Sequence, residues 1–207
     1  MMGKARINVT RREFLITSAA AGAGLSVGMY LPLARALEAE KDGAVSEVNA
    51  WVVIEPDDTV IIRIARSEMG QGTLTGLAQL VAEELECDWS KVRTEYPTPG
   101  QNLARDRVWG SFMTGGSRGI RGSHQYVRKG GAIARQMLIE AAAEAWDVPM
   151  EECSVSASVI THNPTGRTTT YGVVSSAAAE RIPPVEVQLK DPSDWKLIGK
   201  PVKRLDT

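Results

Sequence analysis

The feature that most constrains the fold is an order that occurs twice: a β-rich run, a loop punctuated by glycine, then a helical period. Trp51–Ile54 and Thr59–Arg66 are rich in Val and Ile and are separated by the turn sequence Glu55-Pro56-Asp57-Asp58, which predicts a β-hairpin. The loop Ser67-Glu68-Met69-Gly70-Gln71-Gly72 follows. After it Leu77, Leu80, Val81 and Leu85 recur at helical spacing, with Thr73 or Thr75 available as the cap. Val92–Tyr96 reads as a third strand, ended by Pro97-Thr98-Pro99-Gly100. A second glycine loop, Trp109–Gly119, feeds the longest helical pattern, with Val127, Ala134, Met137, Leu138, Ala141 and Ala145 on one face. Inside it Gly130-Gly131 costs about 1 kcal/mol per glycine relative to alanine, so close packing is expected there.

Ser154–Ile160 alternates as a strand, Asn163-Pro164-Thr165-Gly166 turns it towards Thr168–Tyr171, and a short alanine-rich helix is expected over Val173–Arg181. From Pro183 no periodicity remains, and 183–207 reads as a linker. Strands and helices alternate too irregularly for a doubly wound parallel sheet. The expected fold class is α+β in two layers, short antiparallel strands packed on helices, over 48–182.

The first 36 residues read as an address. Arg11-Arg12-Glu13-Phe14-Leu15, a weakly apolar stretch from Thr17 to Leu33 and Ala34-Arg35-Ala36 have the order of a cleavable twin-arginine signal, followed by a linker over 37–47. The apolar stretch is glycine-rich and falls short of the roughly 20 strongly apolar residues of a membrane span. Export to the periplasm is expected, with membrane association through partners; an uncleaved N-terminal anchor is the alternative. Over all 207 residues the net charge is −1; cleavage after Ala36 leaves 19 basic and 24 acidic groups, a net charge of −5. That balance argues against nucleic acid as a partner.

Candidate chemistry lies in the two loops. Glycines let a backbone approach a ligand, and a loop that opens a helix aims unpaired amides and the positive dipole end at it. Gln71 adds an amide, Thr114, Ser117 and Ser123 add hydroxyls, and Arg118 and Arg121 add positive charge suited to phosphate. Ser67 and Glu68 lack the surroundings of a nucleophile and base. His124 and His162 lack metal-pair spacing, so structural or solvent roles are expected. Cys87 and Cys153 read as small buried hydrophobes, a disulfide being the alternative. The five tryptophans read as core or boundary anchors.

Together SEMGQG at Ser67–Gly72, directly after IIRIAR, and MTGGSRGIRGS at Met113–Ser123 resemble the cofactor loops of molybdenum-binding large subunits of the xanthine oxidase family. The branch of isoquinoline 1-oxidoreductase β-subunits and periplasmic aldehyde dehydrogenases is similar in its twin-arginine start, in AWVVIEPDDTV and in DWKLIGKPVKRLD at Asp194–Asp206. The resemblance implies part of a molybdopterin-binding domain holding molybdopterin cytosine dinucleotide. Gly70, Gln71 and Gly72 match the loop at the pterin and its phosphate, and Thr114, Gly115, Gly116, Ser117, Arg118 and Gly119 match the pyrophosphate loop. It also implies an iron–sulfur small subunit, the remainder of the large subunit, and an electron-accepting cytochrome as candidate partners. The family's late catalytic glutamate and its Phe-Gly-Gly loop do not stand among these residues, so no residue here is expected to be catalytic or to ligate the metal. The IGKPVKRLD stretch matches the entry to a following domain. The expected role is a cofactor-binding portion of an aldehyde or N-heterocycle oxidoreductase; the alternatives are a non-catalytic periplasmic binding or assembly module and a truncated remnant.

Overall fold

The computed structural model describes residues 45–207; the twin-arginine segment and most of the predicted linker lie outside the described residues. Strands β1 (Ser46–Asn49), β2 (Val52–Ile54), β3 (Val60–Arg63) and β4 (Val92–Glu95) form one sheet in that order. β2 and β3 are the predicted hairpin, in register from Val52 opposite Ile62 to Ile54 opposite Val60. The stretch read as a linker already carries β1 from Ser46. Its sequence Ser-Glu-Val-Asn has weak strand propensity, and pairing with β2 makes it a strand.

The expectation of purely antiparallel strands is corrected at β4. It pairs with β3 in parallel, from Val60 opposite Val92 to Arg63 opposite Glu95. Helix α1 (Thr73–Leu85) lies between them and returns the chain to run in the same direction, which a tight turn cannot do. A second, antiparallel sheet comprises β5 (Cys153–Ser156), β6 (Val159–His162) and β7 (Thr168–Thr170). The fold is therefore α+β, with one mixed and one antiparallel sheet.

Three further helices stand among the described residues: α2 (Pro99–Ala104), α3 (His124–Trp146) and α4 (Tyr171–Ala179). α2 stands where the sequence suggested only a turn. Thr98 and Gln101 form a reciprocal capping box, Thr98 Oγ1 accepting from the Gln101 amide and Gln101 Oε1 from the Thr98 amide. α3 lies along α1, and Gly130 and Gly131 mark the contact. A Cβ on Gly130 would lie 3.0 Å from the Trp51 ring, and one on Gly131 only 2.4 Å from the Val81 carbonyl oxygen. Val127, Ala134, Met137, Leu138 and Ala141 are buried as predicted, whereas Ala145 is exposed. α4 begins at Tyr171, which is fully buried and donates its hydroxyl to the Leu85 carbonyl at 2.5 Å.

Outside the glycine loops the candidate His162 has structural partners. His162 is buried, with Nε2 2.8 Å from Glu152 and Nδ1 2.7 Å from Thr165 Oγ1. Both cysteines are free and pack against the core. Trp51 and Trp109 are buried; Trp89 and Trp146 are half-buried at its edge, and half-buried Trp195 faces the Arg128 guanidinium.

The stretch 183–207, read as a linker, has no regular structure beyond a 3-10 turn at Pro192–Asp194, yet it is strapped to α1. Glu83, 2% exposed, accepts from the amides of Lys196, Leu197 and Ile198 and from Lys190 Nζ. Further along, the Leu205 amide donates to Thr75 Oγ1 at 3.0 Å. Burial pushes the Glu83 carboxyl up, but the amides of Lys196, Ile198 and Leu197 and the Lys190 ammonium outweigh it and hold it below the ordinary carboxylate range. A carboxyl depressed by folding adds stability above its unfolded pKa, which is lost as pH falls through the folded value. Acidification below the ordinary carboxylate range is thus expected to weaken the strap. Trypsin should then cleave after Lys190 and Lys196 in a Glu83→Gln variant at pH 7, while the wild-type strap stays intact; equal cleavage of the two would refute this role for Glu83.

Candidate functional site

The end of β3 and the start of α1 build the first loop. Gly70 (φ 95°) and Gly72 (φ 77°) take left-handed backbone that favours glycine, which folds Ser67–Gly72 tightly over the helix N-terminus. No threonine side chain caps α1. Glu68 does so instead: its Oε1 accepts from the amides of Gly70 (2.8 Å) and Gly72 (2.9 Å), and its Oε2 from Leu74 (2.9 Å). These bonds, from Leu74 first and then Gly72 and Gly70, hold the Glu68 carboxyl below its ordinary range. Gln71 is also committed within the loop, accepting from the Met69 amide at 2.5 Å and donating to the Ser67 carbonyl at 2.9 Å. The expectation of unpaired amides at this helix start is therefore corrected at Gly70, Gly72 and Leu74: the loop's own carboxylate fills them.

The second loop is anchored by Trp109, 2% exposed, whose Nε1 donates to the Ala50 carbonyl. Arg66, at the end of the second β-rich run, stitches the two loops together. Its Nη1 donates to the carbonyls of Ser111 and Met113, and its Nε donates to Ser123 Oγ at 3.2 Å. The Ser67 amide donates to Thr114 Oγ1 at 2.9 Å. Ser123, predicted as a free hydroxyl, is fully buried and lies 2.6 Å from the Tyr126 hydroxyl, so it holds Arg66 and offers nothing to a ligand.

The loops so joined enclose a cleft of about 360 Å³ lined by Met69, Gln71, Thr73, Thr114, Gly115, Ser117, Arg118, Gly119 and Ile120. Six of the predicted residues, Gln71, Thr114, Gly115, Ser117, Arg118 and Gly119, thus share one surface, while Gly70, Gly72 and Gly116 shape the backbone beside it. A Cβ on Gly119 would stand 3.1 Å from Thr73 Oγ1, so glycine there permits the close approach of the two loops. Among the described residues the amides of Gly115, Gly116 and Ser117 and the exposed guanidinium groups of Arg118 and Arg121 donate to no protein group. A Cβ on Gly115 would meet nothing within 4 Å, so this backbone is open to an incoming group. Unpaired N–H donors and positive charge in an open cradle are the donor set a phosphate takes.

Sequence reasoning missed Arg66, Glu68, Met69, Thr73 and Ile120. Arg66 carries one signal: a charged residue at the end of the β-rich run, directly after the buried stretch Ile62–Ala65. The roles of the others arise only once the two loops meet. Both carboxylate oxygens of Glu68 are engaged by backbone amides.

These features define a class: a domain presenting one cleft between two glycine loops, with a phosphate-type donor set on one wall. The chain belongs to the molybdopterin cofactor-binding domain family, which matches residues 3–203. It is 33% identical over 211 residues to a membrane-bound aldehyde dehydrogenase (pyrroloquinoline-quinone) of Gluconacetobacter polyoxogenes, covering 96% of this chain and 26% of that protein. It is also 33% identical over 187 residues to the isoquinoline 1-oxidoreductase subunit beta of Brevundimonas diminuta, covering 86% and 23%. The chain therefore spans about a quarter of the length of these curated relatives. Among solved structures, quinoline 2-oxidoreductase from Pseudomonas putida 86 superposes with a TM-score of 0.43 at 16% identity, over 67% of this chain and 17% of that one. The likeness to the molybdopterin-binding subunits of the xanthine oxidase family stands on the family match and the two curated relatives.

Proposed function

We propose that this chain is a cofactor-binding portion of a periplasmic molybdenum hydroxylase acting on an aldehyde or an N-heterocycle, and that its cleft holds molybdopterin cytosine dinucleotide. The observation that carries the reading is the donor set of Gly115, Ser117 and Arg118 facing the first glycine loop across the cleft, with the Gly116 amide beside it. The residues fit the group. Arg118 and the three amides would hold the pyrophosphate, Thr114 and Gly119 would hold the backbone close to it, and Gly70, Gln71 and Gly72 would lie against the pterin. When bound, the cofactor supplies the molybdenum centre for oxidative hydroxylation of the substrate with water. The chain's own part is to bind and orient it. No side chain of the cleft is assigned as a base, and the remainder of the large subunit, an iron–sulfur subunit and an electron-accepting cytochrome complete the proposed assembly.

The test is to purify the chain with the remainder of the subunit and to assay molybdenum and released cytosine nucleotide. Arg118→Ala removes a charged donor that contributes about 1.5–3 kcal/mol, so cofactor retention should fall by about tenfold or more. Unchanged retention would refute the assignment of the second loop. One relative's name carries pyrroloquinoline quinone, also an anion, so the same preparations are assayed for that compound. Its stoichiometric recovery in place of pterin would favour the binding-module alternative.

A further inference from the structure

The backbone of the second loop carries donors and acceptors, and only the donors suit an anion. Amides attract a phosphate and carbonyl oxygens repel it, so a cradle works only where the carbonyls are held away from the ligand. The stretch Ser111–Ser117 lies outside every helix and strand and includes strained backbone: Gly116 (φ 59°) and Ser117 (φ 54°) are consecutive left-handed residues, the second without the freedom of glycine. Few bonds among the described residues hold it in place. Phe112 packs against the core, and the hydrogen bonds that tie Ser111–Ser117 to distant parts of the chain run from Arg66 to the Ser111 and Met113 carbonyls and from the Ser67 amide to Thr114 Oγ1.

Arg66 also differs in its charge from the other arginines packed into the fold. Arg63, Arg105 and Arg128 are each held by a glutamate. Among the described residues no carboxylate pairs with Arg66, which is half-buried and donates to two carbonyls and to Ser123 Oγ. Fully buried Ser123 is fixed in turn by the Tyr126 hydroxyl at 2.6 Å, and the Tyr126 ring lies 5.1 Å from that of buried Trp51. The guanidinium is thus fastened to the core on one side and to the loop on the other, with its positive charge left over. Arg66, Ser111 and Met113 do not line the cleft, whose lining on this loop begins at Thr114.

We infer that Arg66 is the positioning residue of the second loop: its fork holds the Ser111 and Met113 carbonyls away from the cleft, keeps the Gly115, Gly116 and Ser117 amides in a ready-made cradle, and sets an uncompensated cation behind them, so that a phosphate-bearing ligand binds without first ordering the loop. This rests on the proposed cofactor reading and adds to it a residue outside the cleft on which the cradle depends.

The test uses the 207-residue chain and inorganic pyrophosphate, with calorimetry for affinity and amide relaxation for order. Ligand-free wild type should show order parameters of about 0.85 over Ser111–Ser117, and Arg66→Gln should lower them below about 0.6 while α1 and α3 stay unchanged. Arg66→Gln should also weaken pyrophosphate binding by about tenfold or more. Arg66→Lys keeps the charge without the planar fork, so it should recover part of the affinity and leave the loop mobile; affinity no better than that of Arg66→Gln would overturn the role of the charge. Arg118→Ala separates contact from positioning, since it should weaken pyrophosphate by a similar factor with the order of the loop intact. A merely structural role would lower the melting temperature of Arg66→Gln and leave both loop order and affinity unchanged, and that result overturns the inference. So does a ligand-free wild-type loop with order parameters below about 0.6, a readout that stands even if the variants do not fold. Absence of wild-type pyrophosphate binding would instead sink the cofactor reading, while loss of loop order in Arg66→Gln would still support the positioning role.

Discussion

Glu84→Ala is expected to lower the unfolding free energy by about 3–5 kcal/mol, the range for removing one partner of a buried ion pair. Glu84 is fully buried on α1, and its Oε1 lies 2.7 Å from Nε and 2.6 Å from Nη2 of Arg128 on α3. Its Oε2 accepts from the Lys190 amide, so a single carboxylate joins two helices and the strap. The loss would strand the Arg128 guanidinium, 7% exposed on its side chain, beneath Trp195 with only the Lys190 carbonyl as partner. The size of the effect comes from that orphaned charge. Glu84→Leu/Arg128→Met should therefore recover most of the loss. Urea denaturation measures both; a cost below about 1 kcal/mol for Glu84→Ala would show that water solvates Arg128 in the folded state.

Gly131→Ala should cost about 2–3 kcal/mol, although alanine is the better helix former by about 1 kcal/mol. The added methyl would stand 2.4 Å from the Val81 carbonyl oxygen and 3.1 Å from Glu84 Cβ. The obstacle is backbone and cannot rotate aside, so α1 and α3 must separate along their whole contact. Thermal unfolding with a lowered midpoint and retained helical circular dichroism is the expected result. A rise in the midpoint would mean that the helices part without cost. Because α1 opens directly from the first glycine loop, the displacement should also weaken cofactor retention. This links a core substitution to the cleft.

Some of this was legible residue by residue. The hairpin follows from two β-branched runs around Glu55-Pro56-Asp57-Asp58, and α1 and α3 from apolar residues at helical spacing. Gly130-Gly131, unfavourable in any isolated helix, announced a close approach that the structure places against Trp51 and Val81. The loops carrying Gly70–Gly72 and Thr114–Gly119 were legible because glycines before a helix have few uses. Their meeting in one cleft was not, since it depends on Arg66 crossing from one loop to the carbonyls of the other.

What the sequence by itself determined is therefore the set of local structures and the two loops, because turn chemistry, periodicity and glycine conformation act over a few residues. The tertiary structure alone decided four things: the strand character of Ser46–Asn49, the parallel pairing of Val92–Glu95, the strapping of 183–207 onto Glu83 and Glu84, and the turning of Glu68 onto its own helix. In each case a polar or weakly patterned segment takes its structure from a hydrogen-bonding partner. For β4 and the strap that partner is distant in the chain, for Ser46–Asn49 it is the adjacent strand β2, and for Glu68 it is the amides of a loop that closes only on folding. An unpaired buried donor or acceptor costs about 1–3 kcal/mol, and that cost appears only when the chain has closed around it.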